Sequence, residues 1–444
     1  MTSQMYGAAP ARQAGPAIRG VSPTSLAIAA VIFAAVLLAV LPGLVNYLSV
    51  KHMSPPVAPG HVLPTVGATS PRSALWHDVR EAAALVLFLV CCAVWFIRGH
   101  FDRTVSGALI LLLALGLPFV ITPARPANTT IIWIVLSTAV ILAVWHIGAP
   151  VDGLKWVAIS GSAIGAYTII AALIVPEYTT FRAVSTKSFI GSGNLQLAGP
   201  FGHSNTLGLY CVLALALVPF VANFRWRVIH AIVLCATILA SASRTSLIAA
   251  GILALWWVIC WGRSVISIRL TGTALIGCCA AAVVVLPFLD WDPDALSQRG
   301  FIWAEGLRAW QESRLVGLGV SFFETDATSS GSTWQWAYVG AGHNLVIDTL
   351  VKSGLVGICL IALVLLYALY SVRELTVTSQ QIACFGYLIT FLVLSTTETI
   401  WTQFPYVELF PVVGLVIAVM IARRPNAGPE STEQQGSFLR NRFG

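Results

Sequence analysis

Long apolar runs follow one another along almost the whole chain, and about 20 such residues are what an α-helix needs to cross the hydrocarbon of a bilayer. Twelve can be marked, near 25–48, 81–98, 103–121, 129–147, 153–175, 201–222, 227–242, 244–262, 270–289, 343–370, 382–400 and 405–422. The 227–242 and 244–262 runs are parted only around Ser243, and 343–370 is long enough to begin outside the membrane. Hydrophobic residues make up 57% of the 444 positions and charged ones 10%, where a soluble domain carries about 25% charged. The first run is long, lacks a small-residue cleavage site and is followed by further spans, so no cleavable signal is expected. These features describe an all-α, polytopic integral membrane protein with about twelve transmembrane helices.

Loop charge orients such a chain, because cytoplasmic loops carry an excess of Lys and Arg. With the N-terminus inside, the inner loops are short and basic, as in "NFRWR" at 223–227 and "WGRSVISIR" at 261–269. The outer cations are diluted over three long loops, about 49–80, 176–200 and 290–342. The net charge of +7 is thus a topology signal, and no nucleic-acid partner is expected. Residues 1–24 and 423–444 read as polar cytoplasmic tails. All nine cysteines fall inside expected spans, so neither disulfides nor metal-ligand spacing is expected of them.

The polar exceptions then carry the information, since an ionisable side chain in a span costs about 2.5–3.5 kcal/mol and usually faces a cavity or partner. They gather on the outer side. "GPFGHSNTLGLY", 199–210, holds His203 and Asn205 in backbone kept irregular by Gly and Pro. "SASRTSLIAAG", 241–251, sets Arg244 between two spans, and "AGHNLVIDTLVKSGLVG", 341–357, puts His343 and Asn344 at the mouth of a helix. Within the 290–342 loop, residues 298–324 have helical periodicity: Trp303, Leu307 and Trp310 recur at i, i+4 and i+7, with Glu305, Arg308 and Glu312 on other sides. Such an amphipathic helix is expected along the outer membrane surface, ended by "GLGV" at 317–320. Asp292 and Asp294 match a minimal D-x-D spacing, but capping and solvation account for the pair, and no metal is expected. Plain roles compete elsewhere too: an Arg beside a span is often an interfacial anchor, and His203 and Asn205 suit backbone capping as well as a site.

In order, "GPFGHSN", "SASRTSLIA", "RGFIWAEGLRAW" with "VGLGVSFF", and "HNLVIDTLVKSGLVG" resemble the O-antigen ligase and polymerase family of membrane glycosyltransferases, from about residue 195 to 422. The resemblance implies an integral-membrane glycosyltransferase-like fold: a catalytic core at 195–422 with the large outer loop between the ninth and tenth spans, preceded by helices 1–5 over 25–194. It implies transfer of a glycan from a polyprenyl diphosphate carrier, of the undecaprenyl kind, to an acceptor hydroxyl on a glycan, lipid or protein. It further implies a reaction at the outer face of the cytoplasmic (inner) membrane in cell-envelope polysaccharide synthesis, with no cofactor. By position, Arg244 and Arg299 match the family's arginines and His343 its "HN" histidine. Glu398, in "STTETI", stands where an acid is common late in the eleventh span. Lys352 departs from the pattern, occupying a position where Glu is common, and lies four residues after Asp348, the spacing of an ion pair.

The residue chemistry agrees with that implication. A departing diphosphate builds negative charge that guanidinium forks stabilise, and a neutral acceptor hydroxyl needs a base such as imidazole. His343 is therefore the expected catalytic base, Arg244 and Arg299 the expected diphosphate ligands, and Glu398, Asn344 and Asn205 secondary site residues. Ligase and polymerase remain alternatives within this reading. Outside it, a multi-span transporter of bicarbonate or another small anion is the second class, although no repeat between halves supports it.

Overall fold

A computed structural model describes residues 23–49, 71–96, 106–121, 128–182, 195–261, 267–293, 295–320, 322–325, 341–401 and 407–422. The expected tails and the loop stretch 326–340 lie outside the described residues. The described chain is helical: α1 (Pro23–Ser49), α2 (Pro71–Trp95), α3 (Ser106–Ile121), α4 (Asn128–Ile147), α5 (Lys155–Ile174), α6 (Pro176–Thr179), α7 (Ser204–Ala216), α8 (Phe224–Ser241), α9 (Arg244–Trp261), α10 (Ile268–Val285), α11 (Ala295–Trp310), α12 (Phe322–Thr325), α13 (Leu345–Arg373), α14 (Thr378–Ser395) and α15 (Gly414–Ala422). One small exception lies in the 176–200 loop, where β1 (Thr180–Arg182) and β2 (Leu195–Leu197) pair antiparallel with Phe181 opposite Gln196.

A helix overlaps each expected span, but not all twelve qualify as membrane spans by length and composition. Seven segments among the described residues are long and apolar enough to cross a membrane: Pro23–Val45, Val151–Ile174, Phe224–Ser241, Arg244–Trp261, Ile268–Phe288, Leu345–Arg373 and Thr378–Ser395. This is a multi-pass membrane protein. Its lipid face is visible as large apolar side chains left outside, such as Ile248, Leu255 and Val258 on α9 and Leu363 and Leu366 on α13. The split around Ser243 is a true corner. Ala242 adopts a left-handed conformation (φ 54°) and ends α8, and Ser243 bonds Ser246 across the first turn of α9. One hydrophobic cluster runs from Ala27 to Ala422, with α3 packed on α13 and α4 on α15, so the early helices and the later ones share a core. At its centre stands α14, where Ala383–Ser395 is buried on every side.

The tenth expected span is two pieces. Residues Leu345–Gly354 are buried almost all round, whereas beyond them only the stripe Gly357, Ile361, Val364, Ala368 and Val372 is buried. Gly354 (φ 60°, ψ −157°) breaks the helix in a region essentially reserved for glycine. A break at membrane depth strands backbone groups that lipid cannot satisfy, and here the segment after α11 takes them up. Leu355 and Val356 donate to the carbonyls of Arg314 and Leu315 at 3.0 and 3.1 Å, while Leu318 and Gly319 donate to those of Val351 and Lys352 at 2.7 and 3.2 Å.

That same segment explains two departures from expectation. The periodic helix over 298–324 stops at Trp310, because Gln311, Glu312 and Ser313 turn back on the carbonyls of Arg308, Ala309 and Trp310, and Gly317 and Gly319 have positive φ. Its apolar face does not go to the membrane surface. Trp303 is fully buried with Ile302, Phe323, Ile347 and Val351, so α11 lies on the first piece of α13.

Candidate functional site

His343 occupies the corner that launches α13. Its φ is +48°, a left-handed conformation uncommon outside glycine, although histidine is among the residues that tolerate it. Three neighbours hold the corner. Gly342 N–H donates to Asp348 Oδ1 at 3.0 Å, and Trp303 Nε1–H points at the His343 carbonyl at 3.4 Å. Asn344 caps the helix, its Oδ1 accepting from Val346 and Ile347 N–H at 2.8 and 3.1 Å. The Asn344 amide nitrogen then donates to the carbonyls of Val283 on α10 and Thr396 beyond α14, at 3.1 and 3.0 Å. Fully buried, Asn344 is the clasp that joins three helix ends. A cap alone is worth about 1 kcal/mol, and each further buried bond adds a similar amount.

Glu398 meets His343 from the other side. The eleventh span ends at Ser395, short of the expected 400, so Glu398 lies three residues beyond the helix with its N–H bonded to Leu394. Its Oε1 accepts from Arg299 Nη2 at 2.5 Å, and its Oε2 lies 3.4 Å from His343 Nδ1. Side-chain exposure is 9% for Glu398, 17% for Arg299 and 30% for His343, so the ion pair is sheltered while the imidazole is reachable. Burial pushes the Glu398 carboxyl up, but the His343 hydrogen bond and the charges of Arg299, His343 and His203 outweigh it and hold the carboxyl below its ordinary value. Lys352 Nζ bonds Asp348 Oδ2 at 2.9 Å, the i,i+4 pair that the spacing suggested.

Arg244 opens α9 and is exposed. Its neighbour Thr245 shares a hydrogen bond with Thr397 at 3.0 Å, which ties the head of α9 to the residue before Glu398. His203 caps α7, its Nδ1 accepting from Asn205 N–H at 3.0 Å, and its charge reaches Glu398. Asn205 enters through that backbone group, which favours the capping role over a side-chain role. Glu398 thus contacts both Arg299 and His343, Asn344 is adjacent in sequence to His343, the charge of His203 reaches Glu398, and Arg244 is linked to this corner through Thr245 and Thr397. Among the described residues, no group of three or more His, Cys, Asp or Glu could hold a metal ion. Asp294, of the D-x-D pair, lies outside the described residues.

Two parts of this corner escaped sequence reasoning. Asp348 reaches back to Gly342, and Glu408, ahead of α15, accepts from the Gly202 backbone and faces the charge of Arg80 on α2. Arg80 also stacks over Trp133, 4.6 Å from the ring centroid. The signal for Glu408 was present, as a lone acid among apolar residues in "YVELF".

Comparison with known proteins adds two findings. Residues 229–362 match a protein-family model described as O-antigen ligase, a stretch that contains Arg244, Arg299, His343 and Asp348 but neither His203 nor Glu398. The exopolysaccharide production protein ExoQ of Rhizobium meliloti (strain 1021) is 33% identical over 81 residues, covering 17% of this chain and 19% of that protein.

Proposed function

On the premise that residues 229–362 place this chain in the O-antigen ligase and polymerase family, we propose that it transfers a glycan from a polyprenyl diphosphate carrier to an acceptor hydroxyl at the outer face of the cytoplasmic membrane. The observation that carries the reading is the contact of His343 Nδ1 with Glu398 while Glu398 also holds Arg299. A carboxylate on Nδ1–H fixes the tautomer and leaves Nε2 as the nitrogen able to accept a proton. The acceptor oxygen attacks the anomeric carbon, the bond from that carbon to the diphosphate oxygen breaks, and the hydroxyl proton passes to Nε2. The carrier diphosphate leaves with its negative charge.

The arginines divide that charge unequally. Arg244, exposed at the head of α9, is the principal diphosphate ligand. Arg299 is already engaged by Glu398 and the Leu296 carbonyl, and its Nε has no partner among the described residues. It therefore contributes a fixed positive field and one further donor. In this reading no metal takes part, and the acceptor hydroxyl belongs to a glycan, lipid or protein.

The test is transfer by the purified protein from a lipid-linked glycan donor. His343→Gln should lose about 10²–10⁴ in rate, the usual worth of a general base. Arg244→Lys keeps charge but loses the planar fork, and should lose about 10²–10³. EDTA should change neither wild type nor variants. A His343→Gln enzyme as fast as wild type would remove the base assignment.

A further inference from the structure

Glycan transfer, as proposed above, gives His343 its task but says nothing about what keeps a left-handed histidine in place. The neighbouring ion pair supplies a candidate. Asp348 and Lys352 are 1% and 7% exposed, a costly location for two charges unless each is fully bonded. Asp348 Oδ2 takes Lys352 Nζ at 2.9 Å, while Oδ1 takes the Gly342 N–H at 3.0 Å. Lys352 Nζ also sits 5.4 Å from the Phe323 ring centroid, in the cluster that buries Trp303. Gly342 lies so close that a Cβ there would come within 2.6 Å of the Asp348 backbone nitrogen.

A helical acid ordinarily serves the N-terminus by accepting from N–H groups of its own first turn. Asp348 instead reaches back past the Asn344 cap to the residue before His343. The bond therefore adds nothing to the ladder of α13 and constrains the approach to the left-handed corner. From this geometry we infer that Asp348, clamped by Lys352, is a positioning residue for His343: it fixes the Gly342–His343 peptide so that the imidazole meets Glu398. The inference rests on the reading of His343 as the base.

The informative variant is Asp348→Leu/Lys352→Met, which removes both charges together and leaves neither buried alone, a replacement that buried pairs commonly tolerate. Measured on full-length purified protein with the lipid-linked donor, its kcat should fall by about 10–100-fold, as expected for a base displaced by about 1 Å. The donor KM should stay within about twofold, because the phosphate ligands are untouched. Asp348→Asn/Lys352→Met, which retains an acceptor for Gly342 and leaves no charge buried alone, should recover most of kcat. Adding His343→Gln to the double variant should slow it no further than His343→Gln alone, since both act through one imidazole. An unchanged kcat in the double variant, or losses that multiply with His343→Gln, would overturn the positioning role. A fast His343→Gln enzyme would instead remove the base assignment and the positioning inference with it, so the two failures are told apart.

Discussion

Glu398 serves a guanidinium and an imidazole with one carboxylate, and its titration should be readable. Its folded value lies below the unfolded one, so the stability it contributes is complete above the unfolded carboxylate value and disappears as pH falls through the folded value. Glu398→Gln should therefore melt lower than wild type at neutral pH, by roughly 3 kcal/mol for a broken sheltered pair. The gap, followed by thermal melting in detergent, should close as pH falls below the ordinary carboxylate range; a gap that persists unchanged into acid would show that it does not come from the ionised pair. At this scale the sequence was partly legible. Arg299, His343 and Glu398 are rare polar residues beside apolar runs, and their contact follows from where the runs end. The Asp348–Gly342 bond was not legible, because it depends on a left-handed residue between donor and helix, and no spacing rule encodes that turn.

At the scale of elements, the apolar runs gave the helices and their faces, but the interruption in α13 was hidden. A glycine in a long apolar run is usually tolerated without a break, and residues 311–319, which repair the exposed backbone, fall within the 298–324 stretch whose periodicity reads as one continuing helix. Gly354→Ala tests how much the junction matters. A Cβ there would lie 2.4 Å from the Leu315 carbonyl carbon and oxygen and 2.6 Å from Val316 N, at a φ of +60°. The substitution should cost about 1–3 kcal/mol from backbone strain, with more from the clash, seen as a lower melting midpoint and reduced transfer. Gly277→Ala on α10, where nothing lies within 4 Å of the added carbon, should be neutral or gain up to about 1 kcal/mol. Equal midpoints for the two variants would mean that the break is not held by the 311–319 segment.

The whole molecule has two chemically distinct ends, and this leads to the topological prediction. At one end Pro200 abuts Gly43 at the end of α1, Glu408 meets Gly202 and Arg80, Thr245 meets Thr397, and Glu398 gathers Arg299, His343 and the charge of His203. At the other end Arg227 bonds the Val221 carbonyl, Arg269 bonds the Leu375 carbonyl at 3.0 Å, and Gln380 bonds Asp152 beside Lys155. This second end carries the short basic loops, which the positive-inside rule assigns to the cytoplasm. On that assignment the site end is predicted to face outward, as the proposed transfer from a lipid-linked glycan requires. All nine native cysteines are free and lie in helices, so the wild-type chain is labelled in parallel and its background subtracted. Cysteine placed at Ser329, in the loop that precedes His343, should react with an impermeant maleimide on intact cells. Cysteine at Ser264, in the "WGRSVISIR" loop, should react only after permeabilisation. Both positions lie outside the described residues, and the test needs only their place between helices. The reverse pattern would put His343 and Glu398 on the cytoplasmic side, where the acceptor proposed here does not reach, and the glycan-transfer reading would fall with the orientation.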